Sequence, residues 1–562
     1  MSAEFQRTGK REGTALVLSG GGAKGAFQAG AVVALCERYP DFNPDIICGV
    51  SVGAINGAKL AEGATDPASF KAKALELEQF WIDLANRDIE VWQKGFVLEK
   101  TIRYFKKRIS LDDYIHAVWK NLTRQNPLDA VSDEIRETTR FAHSIHWMQP
   151  IRDLLRSHID IEKIINSQVQ LRLGITDVQS GHFFTVTQPD AGFLGTPLEE
   201  WGRIEQYDFL PENPEKAMPT VGSNGNPALI NLRHAIYASS CMPVYMDPMI
   251  ADFESTTTHT VAGEAFDRVA MKHPRELLFL VGNPKDKWDA LPLAIKTKFE
   301  HDYAGLILKH GLEWLIRRPY FIDAIEPYAH IDNPVAIPES RIGTPTGRIW
   351  FDGGLRNTAP ISDALRLGAK DIYVVSAAPM QHSRWRFDGT GLFEEAEFDL
   401  GPMVLMKYLS AAMSTSFHDV AKNDLMTTLA FNEFLGWSHE LFNRIDDNTK
   451  KVEVSQMFNN YWGEFITPNL RTQFNGSSWL GDKGQFSTPM PLGSDVSNNA
   501  IAYGKPFVDE GSNIYSVMPD RSLIGTREFD SGDKIKEAIE QGKQMVQQNI
   551  RLISGVPKDV VS

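Results

Sequence analysis

Residues 15–57 read ALVLSGGGAKGAFQAGAVVALCERYPDFNPDIICGVSVGAING and decide the fold of the chain. They contain a continuously apolar run at Ala15–Leu18, a glycine loop at Gly20–Gly25, small and apolar residues at helical spacing, and a second apolar run that ends at Cys48. A strand, a helix and a strand within about 35 residues predict a βαβ unit, whose two strands are parallel. Both loops then lie at the carboxyl ends of neighbouring strands, where open α/β sheets place their sites.

The glycine loop Gly20–Gly25 fits the dinucleotide fingerprint G-x-G-x-x-G, so a nucleotide-binding module is one hypothesis. A Rossmann site also needs an acidic residue at the end of the second strand, and here Cys48–Ser51 occupies that place. The loop is not a phosphate-binding P-loop either, because Gly25 follows Lys24 where that motif requires serine or threonine. A simpler interpretation is a set of backbone N–H groups at a helix N-terminus, which suits any developing negative charge.

The second loop, Gly49-Val50-Ser51-Val52-Gly53, is a G-x-S-x-G turn between an apolar strand and a helix of small residues. This context is typical of a nucleophile elbow, in which glycines on both sides let the chain turn sharply while the serine projects from the sheet. We therefore predict that Ser51 attacks an acyl carbonyl and that the glycine loop holds the resulting oxyanion. A serine hydroxyl needs a group that accepts its proton.

Asp352 is the candidate base, because it ends an apolar strand and the following Gly353-Gly354 let the backbone turn tightly behind it. The histidines that follow Asp352 are His382, His418 and His439. None of them sits in a glycine-flanked turn after a strand, which is where a hydrolase histidine would be expected. A carboxylate with an ordinary pKa of ~3.9 is a weak base unless desolvation raises that pKa.

Strand-like runs near residues 15, 46, 170, 372 and 514 predict one α/β domain interrupted by insertions. We expect flexible tails at 1–13 and 554–562, a single domain over 14–553, and insertions at about 252–347 and 395–510. The pattern also predicts helices at Leu229–Tyr237 and Lys534–Ile550. The segment Lys296–Arg318 is amphipathic with a cationic, aromatic end, so it either packs on its own domain, sits at a membrane interface or forms a lid.

The composition of the 562 residues, 42% hydrophobic and 23% charged, is that of an ordinary folded protein. A formal net charge of −14 argues against broad nucleic-acid binding. The three cysteines, Cys36, Cys48 and Cys241, lack metal-like spacing and suggest a reducing compartment. The polar N-terminus and the absence of an apolar run of ~20 residues predict a cytoplasmic protein that visits membranes at most peripherally.

The three motifs together resemble patatin-like phospholipases: G-G-G-x-K-G at Gly20–Gly25, G-V-S-V-G at Gly49–Gly53, and D-G-G at Asp352–Gly354, in that order. Further segments similar to the family are LRLGITDVQSGHFFTV, AIYASSCMPVYMDP, 368–379 and 516–544. The resemblance implies an α/β fold of the three-layer α/β/α sandwich type with a mainly parallel central sheet, here carrying large helical insertions. It also implies a Ser–Asp dyad that works without histidine, metal or cofactor.

Carried over to this sequence, the resemblance makes Ser51 the nucleophile and Asp352 the general base, with Gly20, Gly21 and Gly22 as the oxyanion hole. The supporting motif residues are Lys24, Gly25, Gly49, Gly53, Gly353 and Gly354. The implied activity is hydrolysis of lipid esters of the phospholipase A or lysophospholipase kind, at a transient membrane or micelle surface. The alternative is a membrane-docking or partner-binding scaffold with secondary esterase activity.

Overall fold

The structure is a computed structural model, and its described residues begin at Gly13. Apart from isolated positions and short gaps, the described ranges are 13–86, 93–94, 146–147, 149–206, 222–272, 288–289, 293–316, 347–378, 428–461 and 510–555. The predicted second insertion lies mostly outside these ranges, as do His382 and His418. Across the described ranges, no helix combines the length and the apolar composition needed to cross a bilayer.

Strands and helices alternate along much of the chain. The strands are β1 Thr14–Leu18, β2 Ile46–Val50, β3 Gln93–Lys94, β4 His146–Trp147, β5 Gln170–Asp177, β6 Phe183–Pro189, β7 Trp201–Gln206, β8 Ala228–Asn231, β9 Met249–Val261, β10 Glu264–Lys272, β11 Gly347–Asp352, β12 Asp371–Val375, β13 Asn513–Val517 and β14 Arg551–Ser554. The α-helices are α1 Gly25–Arg38, α2 Val52–Ala61, α3 Pro67–Ala85, α4 Gln149–His158, α5 Ile161–Ser167, α6 Leu232–Ser240, α7 Leu293–Asp302, α8 Ala304–His310, α9 Leu312–Leu315, α10 Ile361–Arg366, α11 Asn448–Tyr461 and α12 Gly532–Asn549.

The strand-like runs near residues 15, 46, 170, 372 and 514 are confirmed as β1, β2, β5, β12 and β13. These five strands are neighbours in the order β5-β2-β1-β12-β13, and every pairing among them is parallel. Leu18 of β1 lies beside Gly49 of β2 on one side and Val375 of β12 on the other. The glycine loop and the G-x-S-x-G turn therefore leave the same edge of the sheet side by side, as the sequence predicts.

The rest of the large sheet differs from the prediction. The α/β class is confirmed, but a mainly parallel sheet is wrong beyond those five strands, because β5, β6, β7, β8, β10, β9 and β11 are joined mostly by antiparallel pairings. The last strand of this series, β11, also pairs with β5. These seven strands consequently close into a ring, and β5 belongs both to the ring and to the parallel strands.

Helices cover both faces of the parallel strands. Leu16 and Leu18 point into a core shared with α1, α2, α3 and α12, whereas Ala15 and Val17 point into a second core shared with α10. Successive side chains of a strand alternate between faces, so an uninterrupted apolar run is what a strand buried on both sides requires. The continuous apolarity of Ala15–Leu18 thus has a direct structural cause.

The helix predicted at Lys534–Ile550 is confirmed as α12, and it packs against α1. Its buried side chains include Ile535, Ile539 and Val546. The two helices approach closely where a Cβ at Gly30 would lie 2.0 Å from the Ile539 carbonyl oxygen. The C-terminal part of the chain therefore braces the helix that begins at the glycine loop.

Two local predictions need correction. Leu229–Asn231 belongs to β8 rather than to a helix, and α6 begins only at Leu232, where the Asn231 side chain accepts hydrogen bonds from the N–H groups of Arg233 and His234. The insertion expected to be helical from residue 252 begins instead with β9 and β10. These two strands pair antiparallel and are part of the ring. In the described part of this range, the helices α7, α8 and α9 then lie at 293–315. The three cysteines are buried, and none of them forms a disulfide.

Candidate active site

Ser51 stands at the turn between β2 and α2 in a strained backbone conformation. Its φ is 58° and its ψ is −129°, a region that costs a residue with a side chain ~1–3 kcal/mol. A Cβ added at Gly49 would lie 2.3 Å from the carbonyl oxygen of Gly53, and one added at Gly53 would lie 2.3 Å from that of Leu18. Both glycines are therefore required by close backbone contacts, which hold the serine at the N-terminus of α2.

Asp352 is the last residue of β11, and the sheet brings it to Ser51 across about 300 residues of sequence. Asp352 pairs with Ile175 of β5, and the preceding residue of β5, Gly174, pairs with Val50 of β2. The two strand ends are thus separated only by β5. A Cβ at Gly353 would lie 2.4 Å from the Gly174 carbonyl oxygen, so the turn behind Asp352 also depends on glycine.

The side chains of Ser51 and Asp352 form a direct hydrogen bond. The Ser51 hydroxyl donates to Asp352 Oδ2 at 2.6 Å, and the N–H of Gly354 donates to Asp352 Oδ1 at 2.8 Å. Both residues are buried. Burial raises the pKa of Asp352 to about 7, although its two hydrogen bonds act in the opposite direction. The carboxylate is therefore a far better proton acceptor than an exposed aspartate.

The end of α6 contacts both members of this pair, and no motif in the sequence predicts these contacts. The N–H of Ser51 donates to Ser239 Oγ at 3.0 Å, and that hydroxyl donates to the Gly174 carbonyl at 2.6 Å. The N–H of Asp352 donates to the Cys241 carbonyl at 2.9 Å. Ser239 is fully buried. Its position in ASSCMP, a segment similar to the family, was the only available signal, and nothing in the spacing indicates this contact.

The glycine loop lies directly beside Ser51. A Cβ at Gly20 would lie 3.2 Å from the Ser51 Cβ. The N–H of Gly20 already donates to the Thr358 carbonyl at 2.9 Å, whereas no hydrogen bond among the described residues occupies the N–H of Gly21 or Gly22. Lys24 ends the short 3-10 turn at Gly22–Lys24 and is partly exposed. Of the three predicted oxyanion glycines, two have N–H groups available.

A buried polar network supports the loop from beneath. The Gln28 side-chain amide donates to the Ser19 carbonyl at 2.8 Å, and the Asn56 amide donates to the Gly25 carbonyl at 3.1 Å and to Gln28 Oε1 at 3.0 Å. The indole N–H of Trp81 donates to Asn56 Oδ1 at 3.2 Å. Gln28 and Asn56 are both fully buried. Because a buried amide without partners is costly, this network holds α1, α2 and the loop in one arrangement.

Beyond the pair lies an apolar cavity. Its walls include Val52, Ile55, Trp81, Leu84, Ile151 and Met246, together with Ser51 and Gly22. Trp81 stacks on Phe529 with ring centroids 6.1 Å apart, so aromatic side chains from distant parts of the chain close one wall. A cavity with one polar corner and apolar walls accommodates a molecule with a reactive polar group and a hydrocarbon portion.

In the described part of the chain, no histidine takes part in the hydrogen bonds of this pair. Among the described residues, Ser51 Oγ has the Asp352 carboxylate as its hydrogen-bond partner, and that carboxylate is bonded to Ser51 and Gly354. His439 lies in the helical run 432–443, where its Nδ1 is buried without a hydrogen-bond partner. The site defined by the described residues is a serine–carboxylate pair.

The fold and the site define an α/β protein with a buried serine–carboxylate pair at a strand–helix turn. Residues 16–267 match the family model described as patatin-like phospholipase, which confirms the resemblance: the chain carries a region of this family. The matched range contains Ser51 and the glycine loop but ends before Asp352. Members of this family are phospholipases by description, so the class is that of lipid acyl hydrolases at the family level.

Comparison with other proteins adds little beyond the family. No curated protein matches the chain. Among solved structures it is similar to a chain described in the heterodimeric ExoU–SpcU complex from the type III secretion system of Pseudomonas aeruginosa, with 24% identity and a TM-score of 0.14. That match covers 32% of this chain and 33% of the other, so the chain spans about a third of that relative.

Proposed function

We propose that the protein hydrolyses carboxylic esters of lipids through a Ser51–Asp352 dyad. The observation that carries the proposal is the 2.6 Å hydrogen bond from the Ser51 hydroxyl to a buried carboxylate whose pKa is about 7. An apolar cavity adjoins the serine, which suits an acyl chain better than a polar substrate. The proposed scaffold is the three-layer arrangement of the patatin family around the parallel strands.

Acylation begins with transfer of the Ser51 hydroxyl proton to Asp352 Oδ2. As the proton leaves, Ser51 Oγ forms a bond to the ester carbonyl carbon and the carbonyl oxygen becomes an oxyanion. Collapse of this tetrahedral intermediate breaks the bond to the alcohol, which takes the proton back from Asp352. The products of this half are a free alcohol and an acyl group on Ser51.

Deacylation repeats the same proton transfers with water. Asp352 accepts a proton from water, the water oxygen bonds to the acyl carbon, and the bond to Ser51 Oγ breaks as Oγ recovers the proton. The released product is a carboxylic acid. One carboxylate serves as base and acid in both halves, and a pKa near working pH suits both roles.

We assign the oxyanion hole to the N–H groups of Gly21 and Gly22, and we leave Gly20 out. The Gly20 N–H is already bonded to the Thr358 carbonyl, so it contributes by shaping the loop. Each donor in such a hole contributes ~2.7–4 kcal/mol to transition-state stabilisation. The N-terminus of α2 adds positive potential at the same place.

The direct test is release of fatty acid from phosphatidylcholine vesicles and of nitrophenol from p-nitrophenyl esters by the purified chain. We expect Ser51→Ala to abolish both signals, and a fluorophosphonate probe to label Ser51 in the wild type, as shown by peptide mass spectrometry. Ser157→Ala, at an exposed serine, is the matched control and should keep full activity. Equal rates for Ser51→Ala and wild type would refute the proposal.

The pH dependence follows from the buried carboxylate. Only ionised Asp352 can accept the Ser51 proton, so kcat/KM for a non-titrating ester should fall about tenfold per pH unit below pH 7 and level off above it. The measurement is a rate profile from pH 4.5 to 9 with p-nitrophenyl butyrate. A rate that stays level from pH 9 down to pH 5 would show that the base is not desolvated in solution.

The proposed substrate is presented at a membrane or micelle surface, and the proposed location is cytoplasmic with peripheral membrane contact. Leu308 on α8 is 91% exposed, and Leu293 on α7 is 78% exposed. Leu308 lies in the segment Lys296–Arg318, whose sequence suggested interfacial binding, and Leu293 lies three residues before that segment. Sedimentation with liposomes measures this directly, and Leu293→Ser together with Leu308→Ser should reduce the bound fraction.

A further inference from the structure

Two cavities lie in series along one face of α2. The first contains Ser51, and the second begins where the first ends, because Ile55, Phe80 and Leu154 line both. These three side chains come from α2, α3 and α4 respectively, so each helix supplies one wall at the junction. The junction is therefore lined by apolar side chains, and beyond it the second cavity has both apolar walls, at Leu77, Leu155 and Ile159, and polar ones.

The length of α2 along the two cavities can be compared with the length of a hydrocarbon chain. Val52, Ile55 and Lys59 follow one another on the face that lines the cavities, and seven residues of α-helix rise ~10 Å. An extended hydrocarbon with C–C bonds of about 1.5 Å advances roughly 1.3 Å per methylene. The first cavity and the junction therefore match a short chain, and both cavities together match about eight methylenes.

The far end of the second cavity is charged. Lys59 Nζ lies 2.9 Å from Glu62 Oε2 and 3.4 Å from Glu76 Oε2, and it donates to the His158 carbonyl at 3.1 Å. Lys59 and Glu76 thus form a charged rim of the second cavity. The terminal methyl group of an acyl chain would gain no apolar contact among these charged side chains. It would also have to disrupt their ion pairs and hydrogen bonds. The rim consequently sets an end to the space that a hydrocarbon can use.

We propose that the two cavities form one binding site for the acyl chain of the substrate, that Ile55, Phe80 and Leu154 gate its distal half, and that the preferred acyl groups are of medium length, about eight to ten carbons. The proposal rests on the proposed function, since the chain is positioned by the ester carbonyl at Ser51. The ring of Phe80 packs against those of Trp81 and His158, with centroids 6.2 and 5.7 Å away, and these contacts fix one side of the gate. Ile55 and Leu154 are the opposing walls.

The test is the chain-length profile of p-nitrophenyl esters from two to sixteen carbons. We expect the wild type to peak at about eight to ten carbons, with a gain of about fourfold in kcat/KM per methylene buried below that length. Leu154→Trp and Ile55→Phe narrow the gate from opposite sides and should each lower the ratio of ten-carbon to four-carbon hydrolysis more than about tenfold. Ile55→Ala widens the gate and should raise the twelve-carbon to four-carbon ratio.

Leu60→Met is the matched control, because Leu60 is a fully buried residue of α2 that lines neither cavity. It should leave the profile unchanged. Thermal unfolding checks that each variant folds. If Leu154→Trp does not fold, the chain-length profile of Ile55→Phe is the test of the gate. If wild-type hydrolysis is Ser51-dependent but the gate variants keep its profile, the acyl site is wrong. If no ester is hydrolysed at all, the proposed function fails instead.

Discussion

Replacing Asp352 with asparagine is expected to lower kcat for ester hydrolysis by about 10³-fold or more, while the folded protein becomes more stable above pH 7. Asparagine has nearly the same shape and can still accept the hydrogen bond from Gly354. It cannot accept the Ser51 proton. The loss is therefore chemical rather than geometric, and it should appear in kcat with little change in protein yield or secondary structure.

The stability gain follows from the direction of the pKa shift. Burial raises the pKa of Asp352 from 3.8 to about 7, so the folded state binds this proton more tightly than the unfolded state. This tighter proton binding stabilises the folded state fully at pH values below the pKa of the unfolded state. The stabilisation is lost as the pH rises through the pKa of the folded state. Above pH 7 the wild type holds a buried charge, whereas Asp352→Asn does not, so the difference in Tm should grow between pH 4 and pH 8.

Ser51→Ala is the matched control for this experiment. We expect it to be inactive as well, but it keeps the buried carboxylate and removes a hydrogen bond that lowers the pKa of Asp352. We expect it to show no stability gain at pH 8. Melting curves of the three proteins at pH 4, 6 and 8 make the comparison. An Asp352→Asn variant that keeps a tenth of the wild-type kcat would contradict the assignment of Asp352 as the base.

Gly353→Ala is the second substitution with a large expected effect. The added methyl group would lie 2.4 Å from the Gly174 carbonyl oxygen and 2.7 Å from its carbonyl carbon, both of them backbone atoms. Either β11 separates from β5 or the turn behind Asp352 rearranges. The same carbonyl oxygen accepts the hydrogen bond from Ser239, which in turn holds the N–H of Ser51. One methyl group thus disturbs both ends of the dyad.

We expect Gly353→Ala to lose about 10²-fold or more in kcat, because a misplacement of ~1 Å is enough for that. Overpacking should also lower the free energy of unfolding by ~1–3 kcal/mol. Gly305→Ala is the control, since a Cβ there meets no atom within 4 Å and the residue lies in α8. The control should be neutral or slightly stabilising. Equal activity in the two glycine variants would show that the β5–β11 contact does not position the dyad.

Local sequence was sufficient for the elements around the site. A strand, a glycine loop, a helix, a second strand and a G-x-S-x-G turn can be predicted from residues 15–57, because each depends on neighbours within a few positions. Leu229–Asn231 shows where this fails. Its apolar residues fit a helix or a buried strand equally well, and pairing with β7 and β10 makes it a strand.

The residue types of the dyad follow from the sequence alone: a serine between two glycines after one strand, and an aspartate before two glycines after another. The contact between the two residues does not follow from the sequence alone. It depends on β5, which lies between the two strand ends, and on the pairing of β11 with β5 that closes the ring. Tertiary structure also decides the pKa of Asp352, the engagement of the Gly20 N–H by Thr358, the hold of Ser239 on the Ser51 backbone, and the cavities that α2, α3 and α4 enclose. Each depends on desolvation or on partners far along the chain, whereas the turn motifs depend on backbone geometry that a few adjacent residues dictate.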